Sequence, residues 1–176
     1  MKCIPTSLPD CFILQPTIHQ DERGYFYESY NQRVFHALTG LDIGFVQDNQ
    51  ALSHYGTVRG LHYQKGDYAQ AKLVRVLQGK VLDVAVDMRT DSPTYLQHVA
   101  VELSATNNLQ LFVPRGFAHG YSVLENNTVF HYKCDNYYNK ESEGGIHVLD
   151  NSLGIDWKID ESEMVISVKD LALLHL

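Results

Sequence analysis

Strand-like runs of apolar and β-branched residues dominate the hydrophobic pattern of this chain. The stretch KLVRVLQGKVLDVAVDMR (72–89) holds two such runs around Gln78-Gly79-Lys80 and predicts a hairpin. HVAVELS (98–104), LQLFVP (109–114), YSVLE (121–125) and TVFHYKC (128–134) continue the series. Asn107-Asn108 and Asn126-Asn127 suit tight turns between them, because Asn tolerates positive φ. Short strands with turns every ~8–12 residues predict a sandwich or barrel. One segment breaks the pattern. NQRVFHALTG (31–40) places Val34, Phe35 and Leu38 at helical spacing, with Asn31 as N-cap and Gly40 as stop. The tail KDLALLHL (169–176) carries a weaker helical pattern that an extended segment would also fit. No repeat or low-complexity linker interrupts the chain, so residues 1–176 read as a single all-β domain with small peripheral helices.

Composition narrows the function. With 176 residues, 44% hydrophobic and 20% charged, the chain has the make-up of an ordinary globular domain and can bury its own core. Its formal net charge of −7 argues against sequence-blind nucleic-acid binding and anionic membranes, both of which need a basic footprint. One phosphorylated small molecule is still compatible, provided a few cations converge. The three cysteines, Cys3, Cys11 and Cys134, form no metal or disulfide pattern and are read as reduced packing residues. No signal-peptide h-region and no run of ~18 apolar residues is visible, so the expected location is cytoplasmic.

Nine histidines is a high count. Two of them sit among glycines and apolar strand residues: His62 in GTVRGLHYQKGDYAQAKLVRVLQG and His119 in PRGFAHGYSV. The spacing of Gly56, His62, Gln64, Lys72 and Gly79, followed by Pro114, Gly116 and His119, resembles the two motifs of the cupin superfamily. That resemblance implies a double-stranded β-helix, or jelly-roll barrel. Metal-binding cupins supply a second histidine and a glutamate where this chain has Gln64 and Lys72. An amide is a poor transition-metal ligand, and a protonated ammonium has no lone pair to offer. The expectation is therefore no metal and no cofactor. A neutral histidine is a general base near pH 7, and a lysine can donate to a carbonyl oxygen as it becomes an enolate. Together they suit proton abstraction beside a ketone.

Further blocks sharpen the resemblance: DERGYFYESYN (21–31), FVQDNQALS (45–53), VRGLHYQ (58–64), QAKLVRVLQGKVLDVAVDMRTDSPTY (70–95), FVPRGFAHGYSVL (112–124), YKCDNYY (132–138) and SVKD (167–170). In order and over nearly the whole chain, they resemble the dTDP-4-dehydrorhamnose 3,5-epimerase family. The resemblance implies cofactor-free inversion of dTDP-4-dehydro-6-deoxy-D-glucose at carbons 3 and 5 through an enolate, in dTDP-L-rhamnose synthesis. It also implies a homodimer with strand exchange near the N-terminus. Carried over by position, His62 is the base, Asp170 orients it, Tyr132 is the acid on the opposite face and Lys72 stabilises the enolate. Arg23, Glu28, Gln47, Asn49, Arg59, Lys72, His119, Glu143 and Lys169 match substrate-binding positions. Tyr138 would stack on the thymine, with Phe26 as a neighbour, and Arg23 and Arg59 suit the diphosphate because guanidinium binds phosphate in bidentate fashion.

Some questions stay open at this level. Asp83, between Leu82 and Val84, rivals Asp170 as the partner of a pocket histidine. Arg59 and His62 are three apart, so a regular strand would turn them to opposite faces unless Gly60 marks a bulge. Val148-Leu149 stand where many family members carry Trp-Asp. His19, His36, His54, His98, His131, His147 and His175 have no motif support and read as surface or packing residues. A related 3-epimerase acting at one carbon, a metal-dependent cupin oxygenase and a non-catalytic sugar-nucleotide binder are the alternatives.

Overall fold

The computed structural model describes the chain from Met1 to Leu176. In chain order its strands are β1 (Lys2–Pro5), β2 (Phe12–Gln15), β3 (His19–Asp21), β4 (Gly24–Phe26), β5 (Gln47–Ser53), β6 (Thr57–Gln64) and β7 (Lys72–Gln78). They continue with β8 (Lys80–Asp87), β9 (His98–Ser104), β10 (Gln110–Val113), β11 (Phe117–Val123), β12 (Thr128–Cys134), β13 (Glu143–Gly145) and β14 (Val165–Ile166). The two α-helices are α1 (Gln32–Thr39) and α2 (Val168–Leu171). One sheet runs β1-β2-β10-β7-β12-β5, and the other runs β13-β6-β11-β8-β9 with β14 parallel to β6. The two sheets face each other as a jelly roll, and β3–β4 is a separate hairpin.

Three apolar layers hold this arrangement. Val74, Val76 and Phe130 of the first sheet meet Val81, Ala85, Tyr121 and Val123 of the second in the central core. The outer face of the second sheet, with Val58, Leu82, Val84 and Val86, is covered by Ile146, Val148, Leu153 and Trp157. β8 is therefore buried along almost its whole length, and its apolar run does not alternate. Helix α1 closes the outer face of the first sheet by packing Phe35 onto Leu14, Leu73 and Phe112. Its ends are as the sequence predicts: the Asn31 side chain accepts from the Arg33 and Val34 amides, and Gly40 is left-handed. Asn108 and Asn127 both adopt positive φ, in agreement with the turn reading.

The predicted hairpin at 72–89 is not one. β7 pairs with β10 and β12, whereas β8 pairs with β9 and β11. Gly79, at φ +79°, carries the chain from one sheet to the other, and an added Cβ would collide with Thr128. A corner and a hairpin turn need the same local chemistry, a small residue at positive φ between two β-branched runs, so the residues alone do not tell them apart. The strand foreseen at 121–125 begins earlier, at Phe117, and carries His119. Only Val168–Leu171 of the tail is helical. Cys11 and Cys134 are buried and Cys3 partly so, all free. Burial pushes the Cys11 thiol up to about 12 and the Cys134 thiol up to about 11, which suits packing residues rather than nucleophiles.

Candidate active site

Two adjoining compartments of about 270 and 300 Å³ are lined by residues of both sheets. His62, Lys72 and Tyr132 line both. Gln47, Asn49, Tyr138 and Glu143 line the first compartment. Arg59, His119, Lys169 and Asp170 line the second.

The walls divide the chemistry. His62 projects from β6 in the second sheet; Lys72 and Tyr132 project from β7 and β12 in the first. Lys72 shares strand parity with the core residues Val74 and Val76, which turns it inward. Its Nζ lies 5.9 Å from the centroid of the Tyr132 ring. Tyr132 in turn lies opposite Asn49 on β5 and Val74 on β7, with its ring 6.0 Å from that of Phe130.

Arg59 and His62 reach the same cavity because β6 carries a bulge. His62 pairs with His119 and Arg59 with Tyr121, so two residues of β6, Gly60 and Leu61, stand against Gly120 alone. Gly60 has φ +121°, and an added Cβ there would lie 2.6 Å from the Gly120 Cα. Only glycine fits this position. Arg59 is steadied by Ser53, whose Oγ accepts from Nε and Nη2 at 3.2 Å each.

Both pocket histidines have a carboxylate, and the structure resolves which has which. His62 Nε2 lies 2.8 Å from Asp170 Oδ1. His119 Nε2 lies 3.0 Å from each oxygen of Asp83, in a pair that is almost wholly buried. An ionised carboxylate only accepts, so the His62 ring proton sits on Nε2 and Nδ1 keeps a free lone pair. Asp170 is fixed in its turn. Its amide donates to Ser167 Oγ at 3.0 Å, and its second oxygen accepts from the Gly60 amide at 3.4 Å. Ser167-Val168-Lys169-Asp170 is a capping sequence, a signal that could have identified this helical turn from the residues alone.

Burial dominates the ionisation of these groups. It holds the His62 imidazole below its ordinary range, outweighing the opposing pull of Asp170. It lowers the Lys72 ammonium and raises the Tyr132 phenol. The histidine is thus a free base and the phenol a protonated acid at neutral pH. At the rim Glu143 accepts from both Tyr138 Oη, at 3.2 Å, and Lys169 Nζ, while Gln47 Oε1 accepts from the Tyr138 amide at 3.1 Å. Gln64 is buried and accepts from the Asn139 amide at 2.9 Å, so it braces the loop that carries Tyr138.

Three expected binding residues lie outside the cavity of this chain. Arg23 is 86% exposed and paired with Asp21, Phe26 is 71% exposed, and Glu28 accepts from Asn31. All belong to the β3–β4 hairpin or the segment after it, which projects from the barrel because neither of its strands joins either main sheet.

A cupin barrel with a histidine–carboxylate pair on one wall, and an ammonium and a phenol on the other, defines an enzyme that moves protons on and off a bound molecule. The family model for dTDP-4-dehydrorhamnose 3,5-epimerase matches residues 5–176. The chain belongs to the dTDP-4-dehydrorhamnose 3,5-epimerase family, and so to the isomerases. It is 49% identical to the Salmonella typhimurium dTDP-4-dehydrorhamnose 3,5-epimerase over 172 residues, covering 98% of this chain and 93% of that one. The crystal structure of the Elizabethkingia anophelis NUHP1 epimerase superimposes with a TM-score of 0.97 at 56% identity, covering 100% of this chain and 96% of that one. The Legionella pneumophila Philadelphia 1 enzyme, solved in complex with dTDP-4-keto-L-rhamnose, has a TM-score of 0.95 at 47% identity, covering 99% and 92%. A 3'-monoepimerase from Streptomyces bikiniensis, in complex with dTDP-quinovose, shares the fold at 31% identity with a TM-score of 0.91, covering 98% and 86%.

Proposed function

We propose that this enzyme epimerises dTDP-4-dehydro-6-deoxy-D-glucose at carbons 3 and 5 without a metal or other cofactor. His62 Nδ1 removes the proton from a carbon next to the carbonyl, and Asp170 stabilises the imidazolium that forms. Lys72 donates to the enolate oxygen. Tyr132 delivers a proton from the opposite face, which inverts the centre. The observation that carries this reading is the placement of base and acid on opposite walls of one cavity, with the ammonium beside the acid. General base catalysis supplies about 10²–10⁴ in rate and one oxyanion donor roughly 2.7–4 kcal/mol, so positioning of the sugar nucleotide supplies much of the rest. Tyr138 and Arg59 are the thymine and diphosphate contacts in this reading. Gln64 and Lys72, which occupy two ligand positions of metal cupins, support chemistry carried by side chains alone.

The test is proton exchange. In deuterium oxide, NMR of the sugar nucleotide is expected to show label entering carbons 3 and 5. Label at carbon 3 alone would convert the assignment to a monoepimerase, and label at neither would end it.

The pH dependence follows from the sites. Activity requires neutral His62, so it falls as pH drops through a pKa below the ordinary value of 6.5. It also requires protonated Lys72, so it falls as pH rises through a value below 10.5. Lys72→Arg, whose guanidinium does not titrate in this range, is expected to lower turnover and move the alkaline limb upward. An unmoved limb would remove Lys72 from this role.

The exposed arm fits a homodimer. Tyr25 and Phe26 are 60% and 71% exposed on β4, and in this reading they and Arg23 enter the cavity of a second copy. Sedimentation equilibrium is expected to give twice the chain mass; a monomer would leave Arg23, Phe26 and Glu28 without their binding role. A nucleotide-sugar substrate supports a cytoplasmic location in this reading. No helix here is long and apolar enough to cross a membrane.

A further inference from the structure

The helical turn that carries Asp170 is very short, only Val168–Leu171, and something must hold it against β6. Upstream it is tied by β14, whose Val165 and Ile166 pair with Thr57 and Val58 of β6. Downstream, the segment after α2 docks on residues 145–150. The His147 amide donates to the Leu174 carbonyl at 3.0 Å. The His147 and His175 rings stack with centroids 4.4 Å apart and planes 17° from parallel. Asp150 Oδ2 accepts from the Leu176 amide at 2.6 Å and lies 3.6 Å from His175 Nδ1. Both Asp150 and His147 are more than nine-tenths buried, although neither touches the cavity.

The platform under this strap is itself bonded to the strand of the base. Gly145 pairs with His62, and Ile146 and Leu61 exchange both backbone hydrogen bonds, at 3.0 and 3.1 Å. Gly145 also leaves room for Leu173: a Cβ there would lie 2.7 Å from Leu173 Cδ1. His62 and Asp170 are thus referred to one frame from two directions, through β13 and through the strap.

We infer that His147, Asp150 and His175 are positioning residues, which clasp the segment after α2 and thereby set the distance between Asp170 and His62. None of them touches the reacting atoms. The His147 ring is poised for this, since its Nδ1 accepts from the Leu149 amide at 3.2 Å and its face is left to His175. Loosening the clasp frees α2 on its downstream side, and Asp170 then spends less time within reach of the imidazole. The inference rests on the roles proposed for His62 and Asp170.

His175 is the residue to change, because its side chain is 58% exposed and truncation leaves no buried hole. His175→Ala is expected to lower kcat between about 10- and 100-fold with KM changed less than about twofold, as for a small misplacement of a catalytic group. The acid limb of the pH profile should move to lower pH: the Asp170 carboxylate that favours the imidazolium is partly withdrawn, Lys169 moves with it on the same turn, and burial and the Lys72 ammonium on the other wall, which disfavour the imidazolium, remain, as does Glu143 on β13. His175→Phe keeps a stacking ring and is expected to recover most of the loss. A double-mutant cycle decides the matter: in an Asp170→Asn background, His175→Ala should have no further effect on kcat. Additive losses in that cycle, or an acid limb that stays in place, would overturn the clasp alone. Full activity of Asp170→Asn by itself would overturn the proposed role of Asp170 and the clasp with it.

Discussion

His62→Ala is expected to abolish label exchange at carbons 3 and 5 together and to lower turnover by ~10²–10⁴-fold, the usual contribution of a positioned general base. Both losses follow from one geometry. Nε2 of His62 is held 2.8 Å from Asp170 Oδ1, which leaves Nδ1 as the ring nitrogen available to take a proton in the proposed mechanism. The second pocket histidine does not substitute for it. His119 has its Nε2 shared between both oxygens of Asp83, 3.0 Å from each, and is 5% exposed, with its ring stacked on Phe130. Affinity for dTDP, measured by calorimetry, should stay within about threefold of the unaltered enzyme, or about 0.65 kcal/mol, because in the proposed reading the imidazole meets the hexose, which dTDP lacks. Retained exchange at either carbon would mean that another group takes the proton. Lost dTDP affinity would mean that His62 shapes the binding site rather than the reaction.

Tyr132→Phe separates the two halves of the inversion. The substitution removes one phenolic oxygen and keeps the ring that lies 6.0 Å from Phe130 and beneath the Lys72 ammonium. Under the proposed mechanism, deprotonation by His62 and stabilisation of the enolate by Lys72 are untouched. The enolate carbon then lacks the phenol that would protonate it from the first sheet's side, Lys72 being engaged at the oxygen in this mechanism, and the imidazolium on the other wall returns a proton to the face it came from. In deuterium oxide the expected result is label washed into the substrate with its configuration retained, while inverted product falls by ~10²–10⁴-fold. The Lys72 ammonium keeps its place only while the barrel is intact, so a melting temperature within a few degrees of the parent's is the control. Inverted product at the parent's rate would show that Tyr132 is a wall residue. Loss of both exchange and inversion would show that it belongs to the deprotonation step.

Much of this site was legible in the residues. The spacing of Gly56, His62, Lys72, Gly79 and His119 marks the jelly roll, and strand alternation puts Lys72 on the same face as the apolar Val74 and Val76. The glycine between Arg59 and His62 marked the bulge, because a strand residue free to take φ +121° is what lets two side chains three apart share a face. The capping sequence before Asp170 was readable but carried no hint of the histidine it serves. The roles of Asp83 and Asp170 were open, since nothing local connects Asp170 to a histidine 108 residues earlier.

Strand-forming runs, asparagine turns, the capped helix α1 and the residues equipped for proton transfer are properties of short segments, set by φ preference, side-chain branching and pKa, and the amino-acid order determined them. The tertiary structure alone decided that Gly79 turns a corner between sheets, that Asp170 serves His62 and Asp83 serves His119, and that Arg23, Phe26 and Glu28 stand away from the cavity of their own chain. Strand pairing and carboxylate–imidazole contacts join residues far apart in the chain. Their energies depend on which apolar faces can be buried together, and no short segment contains that information.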